Sequence, residues 1–238
     1  MKVELLNSST LYTTILAART CYDSVVNSDS YTCPKCNFDK YESGIKDEDC
    51  EHCGGQGYRY GIKDISLLER LLEDEHMSVF EHIYYTFHVK DVPRYLLQEI
   101  SRHRIASLSV KSTRFTLKEL KYVDFFTEDG EKYNYDVASK FIKIYNNSEI
   151  DDYNIAQLIQ IQNLLIKGYT NDQVKPLLPE AYLTELVFTI NVRSFINLLK
   201  LRTSKRALAD FRYLCTLFLA NVPVDHILLY QEFIQNSF

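Results

Sequence analysis

Two clusters in this chain carry side chains whose types and spacing suit chemistry. Cys33-Pro-Lys-Cys36 and Cys50-Glu-His-Cys53 form a CxxC-x13-CxxC pattern. That spacing is close to a four-cysteine zinc site, where two tight knuckles offer four thiolates to one tetrahedral metal. Five of the seven glycines (Gly44, Gly54, Gly55, Gly57 and Gly61) fall in the same stretch, where turns let backbone amides face the thiolates. Disulfides are the alternative, and a reducing cytosol disfavours them. A thioredoxin-like pair fits poorly, because one redox CxxC opens a helix after a strand, whereas here two pairs sit in a polar, glycine-rich loop. Residues 27–60 therefore read as an inserted zinc ribbon with Cys33, Cys36, Cys50 and Cys53 as metal ligands.

The second cluster is Arg102-His103-Arg104-Ile-Ala-Ser107-Leu-Ser109-Val110-Lys111-Ser112-Thr113-Arg114. Four cations, one histidine and three serines lie within these 13 residues. Such crowding of positive charge calls for compensating anions, most economically a phosphate ester, to whose oxygens the serines add neutral donors. The plainer reading is a solvated basic face. Further on, Asn191-Val-Arg193-Ser-Phe-Ile-Asn197-Leu-Leu-Lys-Leu-Arg202 puts Arg193 and Asn197 at i and i+4, on one helix face. Arg202, nine residues after Arg193, points elsewhere and suits a different ligand. Buried among Phe195, Ile196, Leu198 and Leu199, these polar groups would need partners, structural carboxylates being the simplest alternative to a ligand.

Composition bounds what surrounds these clusters. At about 150 residues per domain, 238 residues make between one and two domains. Charged residues at 25% and hydrophobic ones at 46% describe a globular chain with a sizeable core. A net charge of −5 argues against a whole-surface nucleic-acid binder. No apolar run approaches the roughly 20 residues of a membrane span, and the start lacks a signal-peptide core, so a cytoplasmic protein without membrane partners is expected. GxGxxG and GxxxxGK[ST] are both absent, so any phosphorylated ligand must be held by side chains.

Periodicity supplies the elements that would carry the clusters. Leu11–Cys21 and Ile65–Glu75 read as amphipathic helices, and Ile83 to Val89 alternates as a strand. Asp91-Val-Pro-Arg opens a helix running toward Arg102, with its proline in the first turn. Leu183–Val192 reads as a second buried strand, followed by helices over Arg193–Leu201, Lys205–Ala220 and Val224–Gln235. Asp124–Asp152 is polar and tyrosine-rich, a loop with a helix start. Cys21 and Cys215 sit in helical, partly apolar surroundings and read as core. The expected fold class is α+β: a single catalytic domain over 1–238, with a mixed or antiparallel sheet flanked by helices and the ribbon inserted near the N-terminus.

RHRIASLSVKSTR resembles the RHRxxSxxxxSxR signature of the flavin-dependent thymidylate synthases. AARTCY (Ala17 to Tyr22), HMSVFEH (His76 to His82), the strand ending FHVK, Gln98, LLP (Leu177 to Pro179) and NVRSFxNLLxLR resemble that family's landmarks in the same order. The resemblance implies an enzyme converting dUMP to dTMP with bound FAD, methylenetetrahydrofolate as one-carbon donor and NADPH as reductant, in a homotetramer with shared active sites. It implies FAD contacts at Arg102, His103, Arg104, Asn191, Arg193 and Asn197, with Ser78 reaching FAD of a neighbouring subunit. It implies dUMP contacts at Gln98, Arg102, Ser112 and Arg114, the last holding phosphate. Arg202 resembles the arginine that stabilises the uracil ring as its N3 proton is lost, the nearest thing to a catalytic side chain. A guanidinium suits that task, since it stays charged while negative charge develops beside it.

Departures from the family pattern fall at three places. Val110 stands where many members have Glu or Gln, with Lys111 as a replacement contact in the substrate segment that also includes Thr113. Lys175 replaces an arginine that reaches dUMP, keeping the charge without the bidentate fork. Arg206 lies near where a histidine would contact flavin. Two other functions compete: a related C5 hydroxymethylation of the pyrimidine nucleotide, and a zinc-ribbon nucleic-acid-binding module. Against the second, residues 33 to 53 hold six acidic and three basic side chains, the wrong sign for a phosphate backbone.

Overall fold

The structure, a computed structural model, describes residues 1–35, 50–53 and 57–235. Four strands form one sheet in the order β1-β4-β6-β5: β1 (Lys2–Ser8), β4 (Tyr84–Pro93), β6 (Leu183–Asn191) and β5 (Ala106–Val110). Strands β2 (Tyr31–Thr32) and β3 (Tyr58–Arg59) make a separate antiparallel pair, Tyr31 opposite Arg59 and Thr32 opposite Tyr58. β6 alternates half-buried and buried residues along its length, and β4 does so from Tyr85 to Lys90, as period-2 sequence requires. β4 and β6 run antiparallel: Val192 N–H donates to the Ile83 carbonyl, and Arg94 N–H to the Tyr182 carbonyl. An α+β chain with helices around an antiparallel sheet is therefore what forms.

The chain divides into two compact units, Met1–Glu4 with Phe87–Phe188, and Leu5–Thr86 with Thr189–Phe238. The first unit contains α3 (Arg94–Ile100), α4 (Thr113–Thr116), α5 (Tyr135–Ala138), α6 (Ser148–Ile166) and α7 (Asn171–Val174). Its core gathers Leu117, Leu120, Phe125, Ile142, Ile155 and Leu158 among others. The second unit contains α1 (Leu11–Cys21), α2 (Ile62–Glu73), α8 (Val192–Arg202), α9 (Ala209–Leu219) and α10 (Gln231–Gln235). Its core is aromatic, with Phe195 edge-on to Tyr85, Phe218 and Tyr230. Inside it Tyr230 donates to Tyr85 at 2.9 Å, and Tyr85 meets His226 Nδ1 at 2.8 Å. No helix among the described residues is long and apolar enough to cross a membrane.

Several expectations are corrected. The second helix begins at Ile62 rather than Ile65, because Gly61 and the Asp29 carboxylate cap it from upstream: Asp29 accepts from the backbone of Lys63 at 2.9 Å and Asp64 at 3.1 Å. Pro93 ends β4 instead of opening a helix; its own φ of −62° and ψ of 146° are extended, and α3 starts one residue later. Val224–Gln235 is a 3-10 turn, Val224–Tyr230, followed by the short α10. α9 starts at Ala209 rather than Lys205. β1, β5 and the 19-residue α6 are additional elements. Cys21 is exposed instead of core, whereas Cys215 is buried as expected.

Candidate active site

The predicted ligand residues divide between the two units, and each group has its own geometry. In the first unit α3 carries Gln98, and the turn that follows it carries Arg102. Gln98 Nε2 donates to both Glu180 carboxylate oxygens at 2.9 and 3.0 Å. Arg102, in the turn after α3, reaches back through Nη1 to Glu99 on the helix at 2.9 Å. The chain then turns through Ile105, whose φ of 58° lies in the left-handed region that β-branched residues rarely enter. In this turn His103 is buried at 7% exposure, while Arg102 and Arg104 face solvent. Strained backbone of this kind persists only where its surroundings hold it, and it clusters at ligand sites.

β5 continues the motif along a sheet edge, so Val110 and Lys111 are exposed at its end. Lys111 N–H donates to the Glu185 carbonyl at 2.8 Å, fixing where the strand stops. Ser112 is the N-cap of α4, but its hydroxyl makes no capping bond, and Thr113 is buried at 5% exposure. Arg114 is held from both ends: Nε pairs with Asp172 at 3.0 Å, and its carbonyl accepts from Asn171 Nδ2 at 2.6 Å. Asn171 and Asp172 open α7, whose capping box joins Thr170 and Gln173. Exposed Lys175 starts the 3-10 turn that follows. Two of the four clustered cations thus have carboxylate partners, Glu99 and Asp172. Arg104 and Lys111 have none among the described residues and are exposed.

In the second unit Asn191 caps α8, its side chain accepting from Ser194 N–H at 2.8 Å. Arg193, Asn197 and Lys200 follow on the exposed face of that helix, so the expectation of burial for Arg193 and Asn197 is corrected; Phe195, Ile196, Leu198 and Leu199 take the buried face. Arg193 pairs with Glu81 at 2.5 Å. Arg202 ends α8 with its guanidinium over the Phe211 ring, 4.9 Å from the centroid. Nearby, burial pushes the Cys215 thiol up to about 12, with the Arg202 charge acting in the opposite sense. Cys215 is thus a neutral thiol and no nucleophile. Arg206 lies exposed in the loop after α8, which Arg212 braces by donating to the Ala207 carbonyl at 2.6 Å and the Lys205 carbonyl at 3.3 Å.

A cavity of about 350 Å³ joins two of the predicted residues, Ser78 and Arg193, with Ala18, Cys21, Tyr22 and His76 in its wall. It combines a guanidinium, a hydroxyl and the exposed Tyr22 ring, donors and a flat face that suit a phosphorylated heterocycle. A second cavity of equal volume, walled by Glu69, Glu73, Glu75, Glu232 and Lys200, contains none of the predicted residues. The sulfurs of Cys33, Cys50 and Cys53 lie within 4.8 Å of one another, and Cys36 lies outside the described residues. The partners Glu81, Glu99, Asp172 and Glu180 went unread in the sequence, since each is far from its arginine or glutamine along the chain or indistinguishable from an ordinary surface acid. Only Glu99, at i and i+3 from Arg102, left a readable signal.

The sequence profile described as thymidylate synthase complementing protein matches residues 4–223. The flavin-dependent thymidylate synthase of Helicobacter pylori strain J99 is 36% identical over 217 residues, 91% of this chain and 90% of that protein. That of Wolinella succinogenes is 42% identical over 175 residues, 71% of this chain and 82% of that protein. A crystal structure of the Helicobacter pylori enzyme complexed with FAD and dUMP matches with a TM-score of 0.79 at 34% identity, covering 98% of this chain and 99% of that one. Sequence and fold agree over almost the whole length, and the chain belongs to the flavin-dependent thymidylate synthases.

Proposed function

We propose that the chain converts dUMP to dTMP through bound FAD, with methylenetetrahydrofolate as one-carbon donor and NADPH as reductant, as a cytoplasmic homotetramer with shared active sites. We further propose that Cys33, Cys36, Cys50 and Cys53 hold a structural zinc. The convergence of Ser78 and Arg193 on one cavity carries the flavin reading. Support for the nucleotide comes from the resemblance of Gln98, Arg102, Ser112 and Arg114 to the family's dUMP contacts, in a chain whose solved relative is complexed with FAD and dUMP.

When bound, FAD would supply the hydride chemistry, leaving orientation and electrostatics to the protein. Arg193 and Asn197 would hold the flavin, with Asn191 fixing the start of their helix, Ser78 reaching the FAD of a neighbouring subunit, and Arg102, His103, Arg104 and Arg206 adding contacts. Arg114, its Nε engaged by Asp172, would offer the remaining guanidinium edge to the dUMP phosphate. Ser112 would add its hydroxyl, and Lys111, Thr113 and Lys175 would complete the walls beside Val110. Arg202 would face the uracil ring as a fixed positive charge.

Purified protein is expected to be yellow, and the double variant Arg193→Ala, Asn197→Ala to lose the flavin absorbance band. A colourless wild-type protein indifferent to added FAD contradicts the proposal. Arg114→Ala is expected to raise the dUMP KM about tenfold or more with kcat little changed, because a charged hydrogen bond to phosphate is made in ground and transition states alike. Steady-state kinetics with varied dUMP checks this, and an unchanged KM removes Arg114 from the phosphate site.

A further inference from the structure

The ribbon is joined to the rest of its unit by more than two strands of chain. The Cys33 and Cys50 sulfurs stand 3.8 Å apart, too far for a disulfide. Two thiolates bonded tetrahedrally to one zinc at about 2.3 Å lie about 3.8 Å apart. Gly57 N–H donates to Cys53 Sγ at 3.2 Å, and His52 Nδ1 lies 3.3 Å from Cys33 Sγ. These are the outer contacts that orient ligand thiolates. Cys33 N–H in turn donates to the Gly57 carbonyl at 2.8 Å, so the sulfur cluster sits directly on the β2–β3 stem.

Below the stem lies a clasp built on two aspartates. Asp64, fully buried on α2, accepts from Arg19 Nε and Nη2 at 2.8 and 2.7 Å, from Ser28 Oγ at 2.5 Å and from Ser30 N–H at 3.1 Å. Asp29 caps α2, and Ser30 Oγ accepts from Gly61 N–H at 3.1 Å. A Cβ at Gly61 would stand 2.0 Å from the Asp29 carboxyl carbon, so any larger residue there would have to displace the Asp29 side chain. Tyr58 of the stem stacks on Tyr12 of α1, centroids 4.8 Å apart. The incoming chain, α1 and α2 therefore meet at one buried carboxylate, and the outgoing chain joins them through the Gly61–Ser30 bond.

The same two helices wall the cavity that holds Ser78 and Arg193. Ala18 and Cys21 flank Arg19 on the last turns of α1, with Tyr22 just beyond them, and Leu71 and Glu75 come from the far end of α2 and just after it. We propose that metal in the Cys33–Cys50–Cys53 cluster clamps the stem and, through Asp64 and Arg19, positions the α1 and α2 wall of the flavin cavity, so that metal occupancy sets flavin affinity. Asp64 and Arg19 are positioning residues in this scheme; neither lines the cavity. The proposal rests on the zinc and flavin readings above.

The test uses the full chain, with zinc content measured by mass spectrometry and FAD binding by titration of flavin fluorescence. Stripping zinc is expected to weaken FAD binding about tenfold, within the range of ordinary coupling between sites, and restoring zinc to recover it. Cys33→Ser with Cys50→Ser should reproduce the stripped state. Asp64→Asn should keep its zinc yet bind FAD weakly with or without it, because the link is cut between the two sites. Ser28→Ala, which removes one clasp bond, should shrink the effect of zinc without abolishing it, and serves if Asp64→Asn does not fold. Arg193→Ala should weaken FAD binding while leaving the zinc effect intact. Equal FAD affinity in the zinc-loaded and stripped wild type overturns the coupling alone. A chain that takes up no zinc on reconstitution overturns the metal reading and the proposal with it, and one that binds zinc but no FAD overturns the flavin reading.

Discussion

Arg202→Ala is expected to lower kcat by about two to three orders of magnitude, the usual cost of removing one preorganised charge from a developing anion. Flavin absorbance and dUMP binding should change far less. The guanidinium ends α8, lies 4.9 Å from the Phe211 ring centroid and is half-buried. The Phe211 ring orients this group, and a guanidinium keeps its charge while negative charge develops beside it. Arg202→Lys keeps the charge but loses the planar stack, and should fall between wild type and alanine. A melting temperature for each variant separates lost catalysis from lost packing against Phe211. Wild-type kcat in Arg202→Ala would remove this residue from the chemistry.

Asp64→Ala is expected to destabilise the protein by about 3–5 kcal/mol, because it strands a largely buried arginine. Its Arg19 partner has only 12% side-chain exposure, and the Ser28 hydroxyl and Ser30 amide lose their acceptor as well. Burial raises the Asp64 carboxyl, but the bonds from Ser28, Ser30 and Arg19 outweigh it and leave its pKa below the ordinary aspartate value. The sign follows by linkage. A carboxylate with a depressed folded pKa contributes stability that is complete above the unfolded value of about 3.9 and is lost as pH falls through the folded one. Thermal melts between neutral and acid pH should show this loss in wild type and a flatter acid limb in Asp64→Asn. An Asp64→Ala melting curve matching wild type contradicts the clasp.

What could be read from sequence follows the physics of each element. β4 and β6 alternate cleanly because each has one face in the core, and α8 was legible because Phe195, Ile196, Leu198 and Leu199 repeat at helical spacing. β1 was hidden by adjacent Leu5 and Leu6, which break period two, and β5 by its small residues, Ala106, Ser107 and Ser109, of low strand preference. Of α6 only a helix start within Asp124–Asp152 is legible, because its first turn carries Glu149 and Asp151, which suit a loop but also complement the helix dipole; Asp151 also accepts from Tyr145 and Asn147 amides. In the site, charge type and motif spacing pointed to the ligand-facing residues. The acids that aim them came from other elements, as Glu81 does for Arg193 and Asp172 for Arg114, and long-range pairing leaves no local pattern. Exposure of Arg193 and Asn197 was also misread, since the apolar residues between them belong to the opposite face.

The most direct measurement is mass spectrometry of the nucleotide formed when the purified, flavin-loaded chain is mixed with dUMP, methylenetetrahydrofolate and NADPH. Formation of dTMP, dependent on FAD and abolished without NADPH, is the expected result. Recovery of unchanged dUMP, or of a 5-hydroxymethyl nucleotide in place of dTMP, would contradict thymidylate synthesis by this site.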